Sequence, residues 1–275
     1  MGDIIDRMVR LLRANAILLF GIAVLPSLIV SVLQRSVGLS QTFDPKDFTD
    51  LLTPGAPLPR QFQLANASAL IVVGVVSGAI SLVQIGAISY AVGRRYLGRP
   101  VTIREAFEQG LRSTPRLFLA FLVVAVVFGA AIVTTLIPIL GALVSLFIAF
   151  FGAWWAFASV AILGPVVVLE QLGPIAAIRR TLHLMDKARL RTLGLYILVI
   201  LITIVIGVVL SFLFLSSFVS EPTARAVLQT IATVVASSIS GPLIYGVTVI
   251  LYYDLRVRKE AFDLQLAAEA LPREG

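Results

Sequence analysis

Between Arg116 and Glu170 the chain runs for 53 residues without an Asp, Glu, Lys or Arg, and Pro138 and Gly141 interrupt the run near its middle. A hydrocarbon core of about 30 Å is crossed by about 20 apolar helical residues, so this run suffices for two crossings joined by an uncharged turn. Inside lipid every backbone amide must be paired within its own segment, which leaves helices as the reading of such a run. Further charge-free stretches lie at residues 14–34, 61–93, 192–220 and 226–253. The expected fold class is all-α: a polytopic integral membrane protein with six transmembrane helices.

Composition excludes the soluble alternatives. Hydrophobic residues are 59% and charged residues 13% of the chain, where a soluble domain carries about 25% charged residues. A net charge of +7 would suit nucleic acid only if the basic residues gathered on a soluble face. They flank the apolar stretches instead, so no nucleic-acid partner is expected. There is no cysteine, hence no disulfide, thiolate nucleophile or cysteine metal site.

The basic residues also set an orientation. Arg7, Arg10 and Arg13 precede the first span, Arg94, Arg95, Arg99, Arg104, Arg112 and Arg116 lie between the second and third, and Arg179, Arg180, Lys187, Arg189 and Arg191 between the fourth and fifth. Arg256, Arg258, Lys259 and Arg273 follow the sixth, so 18 of the 22 Lys and Arg share one side and only Arg35, Lys46, Arg60 and Arg225 the other. By the positive-inside rule both termini are cytoplasmic. The N-terminal stretch reads as a retained first helix, since no small-x-small cleavage pattern follows Leu33. The loop 36–60 then lies outside. Within it Asp44, Pro45 and Asp47 start a short helix that cannot pass Pro54, Pro57 and Pro59, either a surface feature or a lid over the bundle.

A weak repeat organises the chain as one membrane domain. Amphipathic segments at 3–13, 102–112 and 173–184 each precede a pair of spans, with Ile4, Met8 and Leu12 matching Ile103, Phe107 and Leu111, and the last two matching Ile178 and Leu182. Such segments are expected to lie in the interface as elbow helices, apolar side toward acyl chains and arginines toward headgroups. The second opens with the capping box Thr102-Ile103-Arg104-Glu105 and the third with Gly173-Pro174. The elbow-hairpin units cover about 1–93, 94–169 and 170–253, followed by a cytoplasmic tail at 254–275.

The C-terminal run Leu251-Tyr252-Tyr253-Asp254-Leu255-Arg256-Val257-Arg258-Lys259-Glu260-Ala261-Phe262-Asp263-Leu264 resembles the closing signature of the bacterial glycerophosphoryl diester phosphodiesterase membrane-domain family, written YYDLRxRKEGFDL. The stretch from Leu169 through Gly173-Pro174 to Arg179-Arg180 is similar to that family's inner-loop motif. The resemblance extends over essentially the whole chain and implies a bacterial inner-membrane location. Ala261 stands where the pattern has glycine, which is of little consequence if the backbone there is helical. Phosphodiesterases of that family carry a separate soluble barrel with a His-Arg pair and acidic metal ligands. No such barrel is present through Gly275, so the resemblance implies no catalytic activity for these residues.

On a helix the same C-terminal residues give the i, i+4 ion pairs Asp254–Arg258, Arg256–Glu260 and Lys259–Asp263. Tyr252 and Tyr253 would meet the inner headgroups, with Leu255, Phe262 and Leu266 continuing one apolar face along the surface. Headgroup contacts are accordingly expected at Arg94, Arg95, Arg99, Arg179, Arg180, Arg256, Arg258 and Lys259.

Groups for catalysis are scarce. His183 is the single histidine and lies among Arg179, Arg180 and Lys187; Glu105 and Glu108 lie on an elbow, and Glu170 stands alone at the inner end of span four. No metal site, phosphate loop or nucleophile motif is expected, and no cofactor. Within the spans, Thr230, Thr233, Ser237 and Ser240 share one face of the sixth, and Ser77, Ser81 and Gln84 one face of the second. Gly74-x-x-x-Gly78 and the series Thr203, Gly207, Ser211 are small-residue stripes suited to close helix approach. Trp154 and Trp155 fall near the middle of span four as packing residues, and Pro165 after Gly164 should kink or end that span.

The expected function is that of a non-enzymatic membrane scaffold or lipid-interacting protein, its partners being anionic membrane lipids and a second copy or another membrane protein. A transporter or permease component with a solute site between spans two and six is the alternative, and a lipid-directed phosphodiester enzyme the third.

Overall fold

A computed structural model of the chain describes residues 2–36, 67–133, 153–213, 221–262 and 264–265. They form helices α1 (Gly2–Ala14), α2 (Ala16–Ser36), α3 (Ala67–Tyr96), α4 (Ile103–Val133), α5 (Ala153–Val160), α6 (Leu163–Glu170), α7 (Pro174–Met185), α8 (Arg189–Leu213) and α9 (Pro222–Glu260). No strand occurs among the described residues. Five helices, α2, α3, α4, α8 and α9, are long and apolar enough to cross a membrane. Of the expected fourth span, α5 and α6 lie among the described residues, each of 8 residues and too short to cross alone. The turn at Pro138 and Gly141 and the outer-loop helix at Asp44 lie outside the described residues.

Helix α9 is the spine of the bundle. It runs antiparallel to α2: Arg35 at the end of α2 donates to Gln229 near the start of α9 at 3.4 Å, while Met8 of α1 is seated on Gly246 toward the other end. Glu221 caps α9, its carboxylate accepting from the amides of Thr223 and Ala224. Helices α3 and α4 approach closely where two glycines face each other. A Cβ on Gly86 would lie 2.9 Å from the Cα of Gly110, and one on Gly110 would lie 2.6 Å from the carbonyl oxygen of Val83. The stripes expected from sequence serve differently. Among the described residues, no atom outside the helix's own backbone comes within 4 Å of a Cβ placed on Gly74, Gly78 or Gly207.

The three expected elbows have unlike outcomes. α1 and α7 are separate short helices, α7 beginning with Gly173 as N-cap and Pro174 in its first turn. Residues 102–112 instead continue without a break into α4, through Pro115. The capping box is present, with the Thr102 amide donating to Glu105 at 3.0 Å and the Glu105 amide to the Thr102 hydroxyl at 3.2 Å. Continuity follows from packing, since Ala106, Gly110 and Ser113 are buried and hold this segment against α3. The apolar side of α1 likewise turns to protein rather than acyl chains, Ile4 and Met8 being buried.

The expected fourth span is broken where Pro165 requires it. The helix stops after Val160, and Pro165 enters the first turn of α6, where its missing N–H has no intrahelical partner to lose. The Ala161 carbonyl, four residues before the proline, lies 3.4 Å from the Tyr196 hydroxyl, which bonds more closely to Thr248 at 2.6 Å.

Ala261 has φ 50° and ψ 44°, the left-handed conformation, as the C-cap of α9. The backbone there is therefore not right-handed helix, and glycine at this place has a physical reason: a Cβ in the left-handed region costs about 1–2 kcal/mol. Ala261→Gly should raise stability by about 1 kcal/mol, less than the full relief because glycine loses more chain entropy on folding. A melting curve of the detergent-solubilised variant checks this, and an unchanged or lower midpoint counts against it.

Candidate functional site

The charged ends of α3, α6, α7 and α9 converge at one end of the bundle. Glu170, at the last turn of α6, is at the centre of a network rather than alone. Its carboxylate accepts from the Arg180 Nε at 3.0 Å and from the Tyr252 hydroxyl at 2.8 Å. Arg180 turns its two terminal nitrogens to Glu260, one bond being 2.8 Å, and Arg256 reaches the same carboxylate at 3.2 Å and the Tyr252 oxygen at 3.2 Å. Two guanidinium groups thus balance two carboxylates. The bidentate geometry is one that arginine offers and lysine does not. The Arg180 guanidinium is held charged, above all by its hydrogen bond to Glu260, and Glu260 is held below the ordinary carboxylate range by Arg180 first and Arg256 after it.

Tyr252 and Tyr253 are 1% and 4% exposed, buried in protein rather than laid among headgroups. The reason is that each has a partner inside: Tyr252 has Glu170, and Tyr253 stacks between Tyr96 at 4.9 Å and Phe262 at 5.8 Å. Leu255 is buried and Phe262 packs on the core, with the Arg256 guanidinium 3.9 Å from the Phe262 ring centre. The ion pairs Asp254–Arg258 at 2.9 Å and Arg256–Glu260 at 3.2 Å form as the sequence spacing requires. Lys259 donates to the His183 carbonyl at 2.8 Å, and Asp263 and Leu266 lie outside the described residues.

Beside this network is a cavity of about 270 Å³, its walls including Tyr90, Gly93, Arg94, Arg99, Tyr253 and Arg256. Arg256 is neutralised by Glu260, but among the described residues neither Arg94 nor Arg99 pairs with a carboxylate. Arg94 gives one terminal nitrogen to the Pro100 carbonyl at 3.2 Å, and its Nε is buried without a hydrogen-bond partner. The cavity therefore offers two uncompensated positive charges and aromatic walls, which suit an anion with an oxygen-rich head.

The other expected headgroup residues are placed elsewhere. Arg95 turns to the Val101 carbonyl at 3.3 Å, Arg179, Arg258 and Lys259 are exposed, and Arg180 is engaged by Glu170 and Glu260. Of the intramembrane polar set, Gln84 and Ser77 are buried on α3, and Gln84 abuts α9 closely enough that a Cβ on Gly241 would lie 3.2 Å from its Nε2. Thr230 and Thr233 bond the carbonyls of their own helix at 2.8 Å, and Ser81 bonds Ser77 in the same way. Ser237 and Ser240 are half-buried. No group of three or more His, Asp or Glu suited to a metal occurs among the described residues.

Sequence reading missed the Glu170–Arg180–Glu260 network, whose members are 10 and 80 residues apart. One signal was present: an acid ending an apolar span, followed after a Gly-Pro turn by an arginine that the short helix returns toward it. No family model, curated protein or solved structure matches this chain.

Proposed function

We propose that this protein is a non-enzymatic integral membrane protein of six spans, both termini on the cytoplasmic side of a bacterial inner membrane, that holds an anionic lipid headgroup at its charged end. The observation carrying this reading is the cavity beside Arg94 and Arg99, which has positive charge in excess and aromatic walls. The exposed Ile175 and Leu182 beside exposed Arg179 on α7 suit a helix lying in the interface. Glu170 and Glu260 are engaged by Arg180, Arg256 and Tyr252, so neither is free to act as acid or base. A solute site between spans two and six has less support, since Gln84 abuts Gly241 there and Thr230 and Thr233 bond their own helix.

Basic residues near an anionic surface contribute about 1 kcal/mol each, so the double variant Arg94→Gln, Arg99→Gln should lose about thirtyfold in affinity for anionic phospholipid. Lipid retained through detergent purification, counted by class, is the measurement. Arg95→Gln should retain it, because Arg95 faces Val101. Equal retention by the double variant overturns the headgroup site. Orientation is checked with single cysteines at Pro57 and at Glu108, which is exposed where neighbouring Ser113 is buried. An impermeant thiol reagent on sealed cells should label Pro57→Cys alone.

A further inference from the structure

A second cavity of about 230 Å³ lies deeper in the bundle, walled mainly by apolar side chains including Phe121, Phe157, Ala161 and Ile244. Ser89 of α3 also lines it, is 1% exposed, and has a hydroxyl without a hydrogen-bond partner. A serine in an apolar helix ordinarily bonds the carbonyl one turn back, as Ser81 does with Ser77 at 2.8 Å. An unmade hydrogen bond in so dry a place is costly, and an acceptor supplied by an occupant would satisfy it. Tyr196 and Thr248 on the facing wall are already bonded to each other.

The two cavities are stacked along the same helices. On α3, Ile85 and Ser89 face the inner one, and Gly93 and Leu97 the outer; on α9, Ile244 and Thr248 are inner, and Tyr252 and Arg256 outer. These are steps of four, hence one face of each helix, and each step advances about 6 Å. On α6, Gly164 and Pro165 are inner, and Val168 and Leu169 outer. A phosphate is separated from the ester carbonyls of its own glycerophospholipid by about the one turn that separates Gly93 from Ser89. Phe157, at 42% exposed, brings the inner cavity to the lipid-facing side of the bundle, where a chain can enter sideways.

We infer that the stacked cavities form one site for a single anionic glycerophospholipid, its phosphate at Arg94, Arg99 and Arg256, an ester carbonyl accepting from Ser89, and an acyl chain filling the inner cavity. This rests on the proposed headgroup site and adds the identity of its occupant as a whole lipid rather than a free phosphate. The test uses the full-length protein in detergent with two probes: dioleoyl phosphatidylglycerol, and glycerol phosphate, which has the charged group without chains. Ala161→Phe, which fills the inner cavity, should bind the long-chain lipid about tenfold more weakly, the loss expected when some two methylenes can no longer be buried. Ser89→Ala, a substitution small enough to leave folding intact, should lose about fivefold for the ester-bearing lipid. Neither should change glycerol phosphate binding. Unchanged long-chain lipid binding by both variants overturns the two-cavity site and leaves the headgroup site standing. Absence of any effect of Arg94→Gln, Arg99→Gln on either probe overturns the headgroup site itself, and this inference with it.

Discussion

Arg180→Met should destabilise the protein by about 3 kcal/mol, the low end of what removing one partner of a buried ion pair costs. Arg180, Glu170 and Glu260 retain only 25%, 17% and 20% of their side-chain exposure, so water screens the stranded carboxylates poorly. The midpoint of thermal unfolding in detergent measures the loss, and a shift no larger than that of an exposed arginine such as Arg179→Met would sink the network as a structural element. Acid should act through the same groups. Because Glu260 is held below its ordinary value of 4.5 by Arg180 and then Arg256, the folded state favours the ionised form. That stabilisation is complete above about pH 4.5 and is lost as pH falls through the lower folded value. Glu260→Gln should be less stable at neutral pH and should flatten the melting-temperature profile between pH 5 and 3, by about the range that one shifted carboxyl controls.

At the α3–α4 contact, Gly110→Ala should cost about 2 kcal/mol, the strain of an inserted methyl less the gain in helix propensity. The atoms it would meet are the Val83 carbonyl oxygen at 2.6 Å and the Ala87 amide nitrogen at 2.9 Å, backbone that cannot rotate away. Gly74→Ala on α3 should do the opposite and stabilise by up to about 1 kcal/mol, since among the described residues nothing lies within 4 Å of its new methyl. Gly246→Ala should fall between them. Its methyl would meet the thioether end of Met8, a flexible group that can move aside. Unfolding midpoints of the three variants check the order, and equal effects at Gly110 and Gly74 would contradict it.

The contrast between Gly74 and Gly110 also marks where sequence reading stops. Gly74 and Gly78 have the spacing of a packing motif, yet whether a stripe of small residues meets a neighbour depends on which way the helix is turned in the bundle. Gly86 and Gly110 have no shared pattern, being 24 residues apart on different helices. Thr102 and Glu105 form their box as expected because a cap is completed within one turn. Asp254 with Arg258 and Arg256 with Glu260 form for the same reason, the helix setting their spacing. Lys259, an exposed side chain, donates to the His183 carbonyl, a contact 76 residues away in sequence that helical spacing does not give.

Arg94, Arg99 and Arg256 were legible as basic residues near a span end, but not as the walls of one cavity, nor Arg95 and Arg180 as directed elsewhere. The sequence by itself determined the all-helical class, the long apolar helices, the helix starts at Thr102 and Gly173 and the gathering of charge at the helix ends. Each follows from covalent chemistry and from solvent: lipid tolerates only a closed backbone, and a charge stays where water or an opposite charge can reach it. Only the tertiary structure decided that residues 102–112 continue into α4, that Ala261 turns left-handed, and that Glu170 meets Arg180, Glu260 and Tyr252. Those outcomes depend on the rotation of each helix about its axis and on contacts across 80 residues of chain, where side-chain packing rather than local preference sets the energy.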